Sequence, residues 1–154
     1  MAQPIVLITF YCRTGDTEKL ALEAAVGAVQ ARGLIRLRRL PDLDSAPGGN
    51  QDLARMRKEY VPPTEKDVMG ADALVLVVSN DFPISSPVWA PFRSLLGRLH
   101  DEGQLRSKIG AGIGMAQSTV ENLGLTCTPE TPIDALAVGR AVVDLVRTHN
   151  ANTE

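Results

Sequence analysis

The sequence predicts a single α/β domain, residues 1–154, with a parallel sheet and helices on both of its faces. Three observations predict it. Two runs, Ile5-Val6-Leu7-Ile8-Thr9-Phe10 and Ala73-Leu74-Val75-Leu76-Val77-Val78, are almost wholly apolar and rich in β-branched residues, as in strands buried on both faces. Each run ends in turn-forming residues that lead into a helical pattern. Strands and helices alternate along the chain, which builds βαβ units with right-handed crossovers.

The first helix is expected over 17–32, with Leu20, Ala21, Ala24, Ala25, Ala28 and Val29 on its core face and Gly33 as its C-cap. Residues 34–40 alternate as a strand near the sheet edge, where Arg36, Arg38 and Arg39 form a solvated face. A loop follows over 41–50, with Pro47-Gly48-Gly49-Asn50 as its clearest breaker. Residues 51–60 are polar and helix-compatible. Val61-Pro62-Pro63 interrupts them, and 64–69 adds a turn of helix. After the central strand 73–78 comes a Ser/Asn/Asp/Pro-rich loop, 79–87. A helix over 88–99 accommodates Pro91 only in its first turn.

Residues 109–115 form a fourth, Gly-rich strand, and 131–148 the last helix. That helix should bury the rows Ile133, Ala137, Ala141, Leu145 and Val138, Val142, Val146. Between them, 116–130 is too short for a full crossover helix and a fifth strand. Leu123-Gly124-Leu125-Thr126-Cys127 is a short fifth strand at best, preceded by a vestigial helix or none.

Composition narrows the function. The chain has 44% hydrophobic and 22% charged residues, a net charge of −2 and a pI near 5.7. No segment clusters enough Lys and Arg to neutralise a nucleic-acid backbone, so no nucleic-acid partner is expected. No apolar run approaches the roughly 20 residues that span a bilayer, and the amino terminus lacks a basic n-region, so neither a membrane nor export is expected. The cysteines, Cys12 and Cys127, lack metal-ligand spacing and suit a reducing cytoplasm. His100 and His149 fall near helix ends, where a positive charge complements the dipole.

The chemistry concentrates in the turn Tyr11-Cys12-Arg13-Thr14-Gly15-Asp16-Thr17. A tight turn from a buried strand into a helix exposes backbone N–H groups at the positive end of the helix dipole, a ready anion site. Gly15 permits a left-handed backbone and close approach. Thr14 and Thr17 add hydroxyls and Arg13 a charge. The structural alternative is that Thr14 or Asp16 merely caps the helix. Cys12 could instead be a reactive thiol at a helix N-terminus.

Residues 10–21 resemble the flavodoxin phosphate loop, Tyr-Ser-x-Thr-Gly-Asn-Thr-Glu-Lys-Leu-Ala. Ser79-Asn80-Asp81-Phe82-Pro83-Ile84-Ser85-Ser86-Pro87 resembles the Pro-Glu-Tyr-Asn-x-Ser-x-Pro segment of NAD(P)H-dependent FMN reductases. Phe92-Arg93-Ser94-Leu95-Leu96 is similar to the Met-Arg-Thr-Phe-Leu stretch of WrbA-type quinone oxidoreductases. The likeness covers roughly residues 5–115. It implies a flavodoxin-like three-layer sandwich with sheet order 2-1-3-4-5, its fifth strand short or missing. It also implies an FMN oxidoreductase passing a hydride from NAD(P)H to a quinone or similar small acceptor.

The resemblance puts the FMN phosphate on Cys12, Arg13, Thr14, Gly15, Asp16 and Thr17. It puts the isoalloxazine ring beside Asn80, Asp81 and Phe82 and beside Met115, Ala116, Gln117, Ser118 and Thr119. Phe82 packs on the ring edge or anchors its loop to the core. Trp89 is a packing or subunit-contact residue. No acid, base, nucleophile or metal ligand is assigned, because the flavin carries the redox chemistry.

Three residues or segments depart from the family pattern. Cys12 replaces a Ser or Thr, Asp16 replaces an Asn, and the loop after the fourth strand is reduced. The rival readings are an electron-transfer flavodoxin and a flavodoxin-like binding module that has lost FMN. A short tail leaves the fourth strand's edge poorly covered, which predicts a homo-oligomer of two or more chains with Trp89 and Phe92 at the contact.

Overall fold

The computed structural model describes residues 3–13, 15–43, 51–115, 117–127 and 134–153. Five parallel strands form one sheet in the order β2-β1-β3-β4-β5: β1 Ile5–Phe10, β2 Leu34–Arg39, β3 Ala73–Val77, β4 Ile109–Ile113 and β5 Thr126–Cys127. The helices are α1 Asp16–Gln30, α2 Gln51–Glu59, α3 Glu65–Gly70, α4 Ala90–Asp101, α5 Gln117–Asn122 and α6 Ala135–Thr153, and a 3₁₀ turn Pro87–Trp89 leads into α4.

The period-2 alternation of the two central strands sorts their side chains into two cores. Val6, Ile8, Phe10, Ala73, Val75 and Val77 face α1 and α6, whereas Leu7, Leu74 and Leu76 face α3, α4 and α5. Every residue of β3 is buried. Helices α1 and α6 touch backbone to backbone. A Cβ on Gly27 would collide with the Leu136 carbonyl, and one on Gly139 with that of Ala24.

Several sequence expectations need correction. Helix α1 ends at Gln30, and its left-handed residue is Arg32 (φ 70), not Gly33. The Arg32 amide donates to the Val29 carbonyl and the Gly33 amide to that of Ala28, a Schellman closure. Gly33 is instead held by crowding, because a Cβ there would stand 2.7 Å from Val143. Leu20 and Val29 lie 37% and 54% exposed, so the core face of α1 narrows to Ala21, Ala24, Ala25 and Ala28. In α6 the buried ridge is Val138, Val142, Val143 and Val146. Ala137, Ala141 and Leu145 are half-buried, and Ile133 lies outside the described residues.

The 64–69 turn forms as α3, and a capping box closes it: the Thr64 hydroxyl accepts from the Asp67 amide while Asp67 accepts from that of Thr64. Pro91 falls in the first turn of α4. The crossover squeezed into 116–130 contains a six-residue helix and a two-residue strand. Small as it is, β5 pairs with Ile109 and Gly110 of β4. The edge expected to lie open is therefore partly covered by the chain itself.

Candidate functional site

Strand order reverses between β1 and β3, and ligand crevices of open parallel sheets lie at that point, outside the carboxyl ends of the strands. Three loops meet this edge: the one leaving β1, the one leaving β3, and the short turn leaving β4. Gly114 makes the last with φ 81, where a Cβ would strike the Val78 carbonyl.

In the first loop the alternation of β1 continues one residue past the strand on each face. Tyr11 joins the α4 side and Cys12 the α1 side. The Tyr11 ring meets Phe82 edge-on, with centroids 4.7 Å apart, so Phe82 anchors its loop to Tyr11. The Phe82 amide donates to Ser79 Oγ at 3.1 Å, which tightens the same turn. Between the loops lies a cleft of about 240 Å³ whose walls include Tyr11, Arg13, Asp81, Phe82, Ser86 and Val88. That is below the about 300–1,000 Å³ of sites that enclose a drug-sized ligand, and suits a ring system entering from its edge.

Cys12 departs from expectation. Its Sγ lies 3.7 Å from the Met56 sulfur of α2 and is buried in the core. Burial pushes its thiol pKa up, although the Glu18 and Thr17 amides and Arg39 pull the other way. The thiol therefore stays protonated at neutral pH, which sets aside the reactive-cysteine reading. Gly15 is the N-cap of α1 with φ −86 and ψ 2. It is not left-handed, and it brings no side-chain cap. Asp16 is exposed in the first helical position and is not the N-cap, and Thr14 lies outside the described residues.

Thr17 is buried. Glu18 turns toward α2, accepting both Arg55 nitrogens at 2.9 and 2.5 Å and the Tyr60 hydroxyl at 2.6 Å. The Arg55 hydrogen bonds hold its carboxyl below the usual range. Asp16 is thus the acid left exposed at the helix start.

Asn80 and Asp81 are exposed and Phe82 is half-buried. Met115 is half-buried against Gly112. Gln117, Ser118 and Thr119 belong to the first turn of α5, so the loop after β4 is shorter than expected, and Ala116 lies outside the described residues. Among the described residues, Arg13, Asp81 and Phe82 line the cleft. Cys12, Gly15, Asp16, Thr17, Asn80, Met115, Ser118 and Thr119 stand apart from it.

Trp89 and Phe92, expected at a subunit contact, are 0% and 3% exposed and pack on each other in the α4 core. They are core residues because the 3₁₀ turn Pro87–Trp89 and the first turn of α4 pack on the sheet face that carries Leu7, Leu74 and Leu76.

The sequence reading missed Arg39 and Asp42. Arg39 belongs to the alternating row expected to be solvated, yet it is 5% exposed. It donates to the Cys12 carbonyl from Nε and Nη2, at 3.3 and 2.9 Å, and to both Asp42 oxygens at 3.1 Å. Asp42 also accepts from Tyr11 and Arg57. Arg36 and Arg38 do form the expected edge face, paired with Asp67.

A helix start whose N-cap, Gly15, brings no side chain, Arg13 beside Asp81 in the cleft wall, and a buried Ser86 Oγ without a partner among the described residues suit a polar ring ligand with an anionic end. Cys12, turned inward, does not contribute its side chain. Among the described residues no cluster of metal-ligating side chains occurs and no helix is long and apolar enough to cross a membrane.

No protein-family model matches the chain. It is 27% identical over 115 residues to an NAD(P)H dehydrogenase (quinone) of Archaeoglobus fulgidus, covering 69% of this chain and 58% of that protein. It is 28% identical over 107 residues to a protein of the same name from Afipia carboxidovorans, covering 68% and 53%. The chain thus spans about half the length of the curated relatives it matches. Among solved structures, it superimposes on Megasphaera elsdenii flavodoxin with a TM-score of 0.57 at 18% identity, covering 90% of this chain and 98% of that one. On FerB of Paracoccus denitrificans, an NAD(P)H:(acceptor) oxidoreductase, the TM-score is 0.56 at 12% identity, covering 96% and 99%. Together with the strand order, these superpositions make the fold of this chain flavodoxin-like.

Proposed function

We propose that this chain binds FMN and serves as an oxidoreductase between NAD(P)H and a quinone or similar small acceptor. The observation that carries the reading is the ring-sized cleft between the loops after β1 and β3, at the point of strand-order reversal. The relatives named NAD(P)H dehydrogenase (quinone) support it. When bound, FMN supplies hydride acceptance and donation.

The residues of the chain bind and orient. The peptide groups at Gly15 and Asp16, the Thr17 hydroxyl and Arg13 hold the phosphate, with Thr14 between them in sequence. Asn80, Asp81 and Phe82 flank the ring on one side. Met115 and the first turn of α5, Gln117, Ser118 and Thr119, flank it on the other, with Ala116 between them in sequence. The Tyr11–Phe82 pair excludes water from the ring edge.

The experiment is NAD(P)H oxidation with FMN and a quinone. Turnover should exceed that of free FMN at the same concentration, and equal rates would remove the enzymatic reading. A module without FMN is the second reading, favoured by the inward Cys12 and the exposed Asp16. A homo-oligomer in the cytoplasm remains part of the proposal without Trp89 and Phe92 as contacts. Light scattering should give a mass at least twice 16.5 kDa.

A further inference from the structure

We infer that Arg39 is a positioning residue for the phosphate end of this site: its guanidinium fixes the Cys12–Arg13 peptide so that a phosphate monoester meets an ordered loop. The inference rests on the FMN reading. Beyond β1, the amide of Leu40 donates to the Phe10 carbonyl at 3.0 Å, and then the two strands part. The Cys12 carbonyl comes after that point. A buried carbonyl left without a donor is costly, and Arg39 supplies two N–H groups to it.

No peptide is cis among the described residues, and in a trans peptide the carbonyl and the following N–H point in opposite directions. Because Arg39 draws the Cys12 oxygen toward β2, the Arg13 N–H is turned away from β2. One side chain on the neighbouring strand thereby sets the peptide orientation at the entrance to the anion loop.

A neutral donor would satisfy the same carbonyl without the cost of burying a charge. The guanidinium does more. It also lies over the Tyr11 ring, 4.8 Å from its centroid, and grips Asp42, which holds the Tyr11 hydroxyl. Arg39 and Arg57 both pair with the carboxylate of Asp42 beside the loop. The neighbouring acid Glu18 pairs with Arg55, which also pairs with Glu59. The orientation of this peptide thus favours a phosphate over a neutral ligand of the same shape.

The test compares FMN with riboflavin, which lacks the phosphate, by fluorescence titration of wild type and Arg39→Lys. Lys keeps the charge and loses the fork. The FMN-to-riboflavin affinity ratio should fall about tenfold, the worth of one hydrogen bond to a charged group, with riboflavin affinity within about twofold of wild type. Equal loss for both flavins, or an unchanged ratio, would make Arg39 a brace of the fold alone and overturn the inference while leaving FMN binding intact. If the variant does not fold, the wild type decides by amide NMR: the Arg13 resonance should shift with FMN and not with riboflavin, and equal shifts overturn the inference. A wild type that binds neither flavin overturns the functional reading itself, and this inference with it.

Discussion

The Tyr11 hydroxyl donates a 2.6 Å hydrogen bond to Asp42, joining the loop after β1 to the chain leaving β2. Burial and this bond push the Tyr11 pKa up to about 12. Asp42 pays desolvation, but the hydrogen bonds from Arg39, Tyr11 and Arg57 outweigh it and hold its carboxyl far below the usual carboxylate range. Asp42→Ala should therefore cost about 3–5 kcal/mol in urea unfolding, because it leaves a buried guanidinium unpaired. Tyr11→Phe should cost only about 1 kcal/mol, since Asp42 keeps its arginines.

The pH profile follows from the same groups. Asp42, Glu18 and Asp67 all have folded pKa values below their unfolded ones. Their stabilisation is complete above the unfolded carboxylate range, and as pH falls below about 4 the unfolded chain takes up protons first, so stability declines. Tyr11 works in the opposite sense. Its stabilisation is complete below its ordinary value of 10.0 and is lost as pH climbs through about 12. Thermal melts from pH 2 to 12 should show a plateau with both shoulders, and Asp42→Asn should shrink the acid one.

Trp89→Ala tests which side of the molecule the indole serves. It should cost about 3–5 kcal/mol as a large-to-small core change and leave the mass by light scattering unaltered. A stable variant that loses its oligomeric state would return Trp89 to an interface.

Gly139→Ala separates fold from site. Its Cβ would meet the Ala24 carbonyl, so α1 and α6 must move apart. A loss of about 1–3 kcal/mol in unfolding free energy is expected from overpacking, with FMN affinity unchanged in the folded fraction.

Much of this was legible in the chain. The apolar runs at 5–10 and 73–78 gave strands within one residue, because two-face burial leaves a continuous pattern. The first loop was placed from local chemistry as well. Arg39 and Asp42 were not legible, because what buries them is the meeting of residues 11 and 12 with 39 and 42, which strand pairing brings about and no local period encodes. Arg36, Arg38 and Arg39 look alike in sequence, yet only the last passes under the first loop. Cys12 misled for a similar reason: its side depends on where the alternation of β1 stops. Crowding in the α1–α6 seam, rather than apolarity, decides which row of α6 is buried.

The most direct test of the central claim is a titration of purified apo-protein into FMN, followed by flavin fluorescence. Binding at the loops after β1 and β3 predicts saturable quenching at one FMN per chain, with a Kd at or below about 1 μM. Gly15→Val should weaken it at least about tenfold. Gly15 sits at φ −86 and ψ 2, a backbone that valine can adopt, so that loss would report obstruction of the ligand. Unquenched fluorescence at about 100 μM protein, a concentration that would saturate even weak micromolar binding, would contradict the account and leave a flavodoxin-like module without its flavin.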